Sequence, residues 1–474
     1  MRPAAAPQTV AIVTLGCGRN EVDSANAAGL LAASGYEVVD DPEQADAVLV
    51  NTCAFIDAAR RESVETVLDA AGLKEHGRAK AVLVMGCMAE RYTEELRAEL
   101  PEADAVVPFA DYARLPRLLA GSLAGEPPTA TAAASGTAPA PGARAPTPSP
   151  GRRALPLVFP TPPGRGFPER RPARGPVAYV KLAEGCDRDC SFCAIPSFRG
   201  GFRSRRPTEV LDEVGWLAAQ GASEVVLVAE NSTSYGKDLG GRTALVRLLR
   251  ELAGVGGLRR VRLQYLQPDE LTPGLVEEMA ASPVVCSYFD LSLQHASEPV
   301  LRRMRRGGSR AAFLDLVARI RALDPDAAFR SNFILGFPGE RAGDVRELEA
   351  FLEEARLDWV AFFPYSPEEG TAAATMDARV AARTARSRVE RLQELQQRLL
   401  DATQAGWLGR RLEILVERVD ADGAEGRSFR EGPESDGVVR VPALTTARAG
   451  DYVEVEVTAA VGAELLAVPV GEAG

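Results

Sequence analysis

Eight residues constrain this 474-residue chain more than any other stretch: Cys186-Asp187-Arg188-Asp189-Cys190-Ser191-Phe192-Cys193. They gather three thiols in a polar, glycine-led loop directly after the strand-like run Val177-Ala178-Tyr179-Val180-Lys181-Leu182. Thiolate-rich ligation selects iron–sulfur or zinc, and a structural zinc site wants four closed ligands. No His and no fourth Cys lies within reach along the sequence. Three thiolates this close suit three irons of a 4Fe–4S cube, leaving the fourth iron open to a small molecule. The competing reading, three core thiols clustered by chance, is the weaker one, because buried thiols rarely fall in one polar loop.

A chain of this length is expected to hold two to four domains, on the order of one per 150 residues. Its net charge of −11 argues against broad nucleic-acid binding, which needs a basic face. Seven Cys and an Ala/Pro-rich start (Met1-Arg2-Pro3-Ala4) without the apolar core of an export signal read as a metal set in a reducing compartment. No apolar run of the roughly 18 residues that would span a membrane is present. The expectation is a cytoplasmic enzyme.

Residues 8–120 alternate strand and helix signals. Thr9 to Leu15, Ala47-Val48-Leu49-Val50 and Ala81-Val82-Leu83-Val84 are continuous apolar runs, each followed by a helical pattern. Such runs imply a parallel sheet covered on both faces. Cys17, Cys53 and Cys87 each follow the carboxyl end of one of these strands, where open α/β sheets build their sites. They read as a second three-Cys set with one open iron, against the alternative of scattered core thiols.

Residues 121–175 break the pattern. Pro, Ala, Thr and Ser dominate, with seven Arg against two acidic residues and no period of strand or helix. This is expected to be a disordered Pro/Ala/Arg-rich linker, a solubilising insertion rather than an RNA contact. From 176 to 410, six strand–helix units, counting the strand before Cys186, predict an incomplete (βα)6 parallel barrel with its site at the carboxyl ends of the strands. A long amphipathic helix from Ala378 to about Leu408 closes that region. Residues 411–474 hold alternating strands such as Tyr452-Val453-Glu454-Val455-Glu456-Val457, separated by Asp422-Gly423 and Asp436-Gly437, and predict a small OB-like β-barrel. That barrel carries thirteen Asp and Glu against six Arg and no Lys. An RNA-gripping barrel is basic, so an acidic one suits a basic protein partner.

The Cys186–Cys193 spacing, with an aromatic residue just before the last Cys, resembles the radical S-adenosylmethionine (SAM) superfamily. Thr14-Leu15-Gly16-Cys17, Asn51-Thr52-Cys53 and Met85-Gly86-Cys87 resemble the auxiliary-cluster motifs of its methylthiotransferases, with Ala25 where that family usually carries Glu. The last barrel is similar to a TRAM module. The resemblance implies two 4Fe–4S clusters, held by Cys186, Cys190 and Cys193 and by Cys17, Cys53 and Cys87, and S-adenosyl-L-methionine as cofactor. It also implies SAM contacts at Glu230, Asn231, Gln294 and Gly336, and an electron donor such as flavodoxin or ferredoxin. On the residues alone Glu230 reads equally as a surface carboxylate, and His295 as a structural imidazole or one facing the ribose or substrate. Cys286 reads as an inert buried thiol.

Two branches of the family compete. One modifies an isopentenylated adenosine of tRNA and usually reads Gly-Cys-Gln-Met-Asn and Asn-Thr-Cys-x-Val-Arg. This chain has Gly16-Cys17-Gly18-Arg19-Asn20 and Asn51-Thr52-Cys53-Ala54-Phe55-Ile56, closer to the branch that modifies an aspartate β-carbon in small-subunit ribosomal protein S-twelve. Ser232-Thr233-Ser234-Tyr235-Gly236 points the same way, as does the barrel's charge. Methylthiolation of that basic protein, rather than of tRNA, is therefore the expected activity. A two-cluster electron-transfer protein is a further alternative, and the missing fourth ligands count against it.

Overall fold

The computed structural model describes residues 7–126, 173, 175–442 and 444–471. The described residues form two compact units, one of 7–16, 23–54 and 58–126, the other of 17–22, 55–57, 173, 175–442 and 444–471. The linker expected at 121–175 lies almost wholly outside the described residues.

In the first unit a parallel sheet is built from β1 (Thr9–Thr14), β2 (Glu37–Val39), β3 (Ala47–Thr52), β4 (Ala81–Gly86) and β5 (Ala105–Val106), in the order β2-β1-β3-β4-β5. Its helices are α1 (Gly18–Ala33), α2 (Asp57–His76), α3 (Cys87–Arg91), α4 (Thr93–Glu99) and α5 (Leu115–Leu123); the first residues of α1, Gly18–Val22, group with the second unit. Every residue of β3 and β4 is buried, which is why both read as unbroken apolar runs. The edge strands β2 and β5 hold only three and two residues, too few to show a pattern, and the sequence reading passes over them. The register pairs Thr14 with Asn51 and Thr52 with Gly86, so three neighbouring strands end level. Gly86 turns out of β4 at φ 93°, where an added Cβ would lie 2.3 Å from Asn51 Oδ1. Only glycine fits there.

The second unit opens with β6 (Val177–Lys181). A short antiparallel pair, β7 (Ala183–Glu184) with β8 (Arg203–Ser204), then brackets the cysteine loop and α6 (Ile195–Arg199). Next come α7 (Pro207–Ala219), β9 (Glu224–Val228), α8 (Ala244–Leu252), β10 (Arg260–Leu263), α9 (Pro273–Ala281), β11 (Tyr288–Gln294), α10 (Glu298–Arg303), α11 (Arg310–Leu323), β12 (Ala328–Leu335), α12 (Ala342–Ala355), β13 (Trp359–Pro364) and α13 (Ala382–Ala405). Strands β6, β9 and β10 form one parallel sheet and β11, β12 and β13 another. Parallel bridges Val261–Val285 and Leu266–Leu291 join them, giving six strands in chain order, the expected incomplete barrel. Strand β10 stops at Leu263, and Tyr265 just beyond it adopts a left-handed φ of 62°.

The chain ends in a closed barrel of β14 (Arg411–Asp420), β15 (Gly423–Arg427), β16 (Val439–Pro442), β17 (Tyr452–Val461) and β18 (Glu464–Pro469), ordered β14-β15-β16-β18-β17. Its core is the inward half of each alternating strand, Leu412, Ile414, Val455 and Val457 among them. Buried ions tie it to the six-stranded sheet. Glu224 of β9 accepts from Arg262 Nε and Arg427 Nη1, each at 3.1 Å. Arg262 also donates to the Phe429 carbonyl at 2.8 Å, and Arg260 to the Arg427 carbonyl at 2.8 Å.

Burial pushes the Glu224 carboxyl up, but Arg427, Arg262 and Arg260 outweigh it and hold it at about 2. A carboxylate depressed from the usual 4.5 adds stability that is complete above pH 4.5 and is lost as the pH falls toward 2. Arg427→Met is expected to destabilise the full chain by about 3 kcal/mol, since it strips a partner from a buried charge. It should also flatten the acid limb between pH 4.5 and 2; thermal melts across pH check both.

Candidate active site

The cysteine loop sits at the carboxyl end of β6. Gly185, at φ 73°, opens it with its Cα so close to the returning chain that a Cβ would stand 2.3 Å from the Gly201 carbonyl. Cys186 N–H donates to the Gly200 carbonyl at 3.1 Å, and Cys193 N–H to the Cys190 carbonyl at 3.1 Å. Ser191 is the fastening. Its N–H donates to the Met304 carbonyl (3.1 Å), its hydroxyl to the Arg303 carbonyl (2.8 Å), and its own carbonyl accepts from Ala373 N–H (2.8 Å). Arg188 reaches Glu270 Oε1 at 2.7 Å and Asp269 Oδ2 at 2.9 Å. Arg306 Nη1 lies 3.7 Å from Cys190 Sγ, and its second nitrogen donates to the Ser292 carbonyl.

Burial pushes the Cys193 thiol up to about 12, with the Cys190 and Cys186 charges adding to the rise, and burial raises Cys186 as well. Crowded thiols of this kind become thiolates only against a cation, and an iron centre supplies one. Among the described residues no three His, Cys, Asp or Glu side chains converge as ligands of a single ion. A four-iron cube takes one thiolate per iron, so its ligands stand apart, and the donor set of this loop fits it.

Beyond the strand ends lies a buried polar ring. The Glu230 side chain is 1% exposed, 3.5 Å from Arg19 Nε and 3.6 Å from Arg199 Nε, which rules out the surface-carboxylate alternative. Its carboxyl is raised by burial against the pull of Arg19 and Arg199. Arg19 also stacks over Tyr265, 4.8 Å from the ring centre. Arg199 donates to Glu184 Oε2 and Asn20 Oδ1, each at 3.1 Å. Asn231 donates to Ser234 Oγ (2.9 Å) and to Glu270 (3.1 Å). Burial raises the Glu270 carboxyl, but hydrogen bonds from Lys237, Ser234 and Arg188 outweigh it and set it at about 2.

Gln294 is half-buried and left-handed at φ 70°, like Tyr265 at the end of the neighbouring strand. Two strained non-glycine residues on adjacent strand ends cost about 1–3 kcal/mol each and mark a built site. Gly336, at φ 78°, donates its N–H to Glu340 Oε2 at 2.8 Å, and a Cβ on it would stand 2.4 Å from that of Ala385. The close approach this glycine permits here is that of α13. His295 is fully buried and its Nδ1 accepts from Ala296 and Ser297 N–H at 3.0 and 2.9 Å. Burial holds it down at about 4, so the ring is neutral, and with Nδ1 accepting its proton sits on Nε2. Cys286 is buried, and burial raises its thiol.

In the first unit Cys53 and Cys87 follow the paired residues Thr52 and Gly86 on neighbouring strands, and both are buried. Cys53 N–H donates to Ser63 Oγ at 3.0 Å and that hydroxyl returns to the Cys53 carbonyl at 3.1 Å. Cys17 belongs to the second unit, where Asn20 N–H caps its carbonyl at 2.7 Å. Burial raises its thiol, but Arg19 and Arg199 outweigh burial and lower it overall. Sequence reasoning missed Arg19, Arg199, Glu270 and Arg306 as site residues. Arg19 lies inside a stretch already singled out, whereas Glu270 and Arg306 meet partners 82 and 116 residues away and leave no local signal.

The family described as Uncharacterized protein family UPF0004 matches residues 9–108, the Radical SAM superfamily residues 180–352, and the TRAM domain residues 408–470. A solved radical SAM methyltransferase, TsrM from Kitasatospora setae, shares the fold at a TM-score of 0.51 and 16% identity, over 77% of this chain and 74% of its own. The three-cysteine loop and the Radical SAM match together define a radical SAM enzyme. Proteins named ribosomal protein uS12 methylthiotransferase RimO are 48% identical in Nocardioides sp., over 97% of both chains, and 49% identical in Salinispora arenicola, over 98% of this chain and 95% of theirs. The chain belongs to the RimO family.

Glu270→Gln should weaken the clamp on Arg188. Iron reconstituted on the loop is expected to be lost to a chelator about tenfold faster than from the parent, the scale of an outer-shell substitution at a metal site. Iron retention against time is the measurement, with the more exposed Asp269→Asn expected to change it little.

Proposed function

We propose that the chain replaces a C–H bond by C–SCH3 on the β-carbon of an aspartate in ribosomal protein uS12, using SAM. The observation that carries this reading is the three-thiol loop Cys186–Cys193, held at the carboxyl mouth of a six-stranded parallel half-barrel. The near-half identity to proteins named as uS12 methylthiotransferases, along the whole chain, selects the substrate.

Cys186, Cys190 and Cys193 hold one cluster, and Cys17, Cys53 and Cys87 a second. When bound, these groups supply one-electron cleavage of SAM to a carbon-centred radical and the sulfur that enters the product. The protein supplies position and charge. Ser191 and Arg188 hold the loop rigid. Glu230 is a buried anion positioned to take the methionine ammonium of SAM, with Arg19 and Arg199 beside it. Asn231, Gln294 and Gly336 lie at the same strand ends as further cofactor contacts, Asn231 oriented by Glu270. A low-potential one-electron donor such as a flavodoxin or ferredoxin completes the requirement. The acidic barrel, with Asp420, Asp422, Asp451 and Glu454 exposed, suits a basic ribosomal protein and repels tRNA phosphate.

Anaerobic reconstitution is expected to load roughly eight irons, four per cube. The reduced protein with SAM should add the mass of one methylthio group to uS12 and none to tRNA; addition to tRNA alone overturns the proposal. Cys87→Ala should keep SAM cleavage while abolishing thiolation. Normal thiolation by that variant would show that the second cluster is misassigned.

A further inference from the structure

Arg306 carries a role that the cluster ligands alone do not explain. It is almost fully buried, and its backbone N–H is fixed to the Leu301 carbonyl at 2.8 Å, in the turn after α10. That turn is sharp because Arg305 is left-handed at φ 56°. The same turn offers the Met304 and Arg303 carbonyls that fasten Ser191, so loop and turn are one construction. The guanidinium then divides between two acceptors, Cys190 Sγ at 3.7 Å and the Ser292 carbonyl of β11. Of the neighbouring arginines, Arg188 is hydrogen-bonded to Asp269 and Glu270, and Arg305 meets Asp189 at 3.4 Å in an exposed pair.

We propose that Arg306 is a positioning residue that raises the reduction potential of the cluster held by Cys186, Cys190 and Cys193, through a charge-assisted hydrogen bond to the Cys190 sulfur. The inference rests on reading that loop as a cluster site. Taking up one electron adds negative charge to a group already ringed by thiolates. A fixed cation on one sulfur therefore stabilises the reduced form more than the oxidised one, and such bonds are among the determinants of cluster potential. The electron comes from a low-potential one-electron donor, and no covalent bond changes in this step. The Ser292 carbonyl occupies the second arm of the fork and keeps the guanidinium aimed, which a lysine cannot reproduce.

The test uses the full chain carrying Cys53→Ala and Cys87→Ala, so that only the loop cluster contributes to the signal, with Arg306 intact or replaced by Gln or Lys. Iron is counted after anaerobic reconstitution, and each protein is titrated with dithionite while the reduced cluster is followed by electron paramagnetic resonance. At the potential where the parent is half reduced, Arg306→Gln at equal iron content is expected to hold about a tenfold smaller reduced-to-oxidised ratio. That corresponds to a midpoint about 59 mV lower for one electron. Arg306→Lys, which keeps the charge and loses the fork, should fall between the two. An unchanged midpoint in a fully loaded Arg306→Gln protein overturns the inference. If that variant loses its iron, an Arg306→Lys midpoint equal to the parent's overturns it instead. A parent protein that assembles no reducible cluster on the three thiols overturns the cluster reading itself, and is told apart by its iron count.

Discussion

Three thiols within eight residues repel one another once ionised, and the second unit is arranged around holding them together regardless. The means is the hydrogen bonding of Ser191. One residue in the middle of the loop gives its N–H and hydroxyl to the turn after α10 and takes an N–H from Ala373, so two distant segments grip it. Arg188 adds a charged tether to the connection after β10. The loop shape is thus set by groups that are not ligands, and the thiols inherit their positions.

Two buried glutamates show how the same residue type is put to different use. Glu224 takes hydrogen bonds from Arg262 and Arg427 at 3.1 Å, and its ionised form is held firmly. It acts as a joint between half-barrel and terminal barrel. Glu230 is as deeply buried, but its nearest arginine nitrogens stand at 3.5 and 3.6 Å, beyond a good hydrogen bond, and its carboxyl is raised. A buried carboxylate left short of partners is costly in a finished core and useful in a cavity that receives a cation. The contrast of about half an ångström separates a fully paired carboxylate from one left short of partners.

Much of the architecture was legible in the sequence because its strands are buried on both faces. Ala47–Val50 and Ala81–Val84 carry no polar residue, and the six strands of the half-barrel recur at regular intervals with helices between them. The closed terminal barrel followed from strict alternation and Asp-Gly turns. Short edge strands such as Ala105–Val106 left no trace, since two residues cannot display a period. The left-handed turn at Tyr265 left no local trace either, since its N–H is held by Asp290 Oδ2 at 2.9 Å, a residue 25 positions on.

The sequence by itself set out the candidate ligands: six cysteines at two kinds of spacing, one set packed into a loop and one dispersed over three strand ends. Ligand chemistry is written in residue type and local spacing, and both survive in one dimension. Only the tertiary structure decided what surrounds those atoms. It made Glu230 a buried carboxyl rather than a surface one, set two backbone N–H groups on His295 Nδ1, brought α13 against Gly336, and set Arg306 on Cys190. Charge and hydrogen bonding act through space, and the partners of these groups lie up to 211 residues away (Arg19 with Glu230) in a chain whose local patterns record only the burial of each strand.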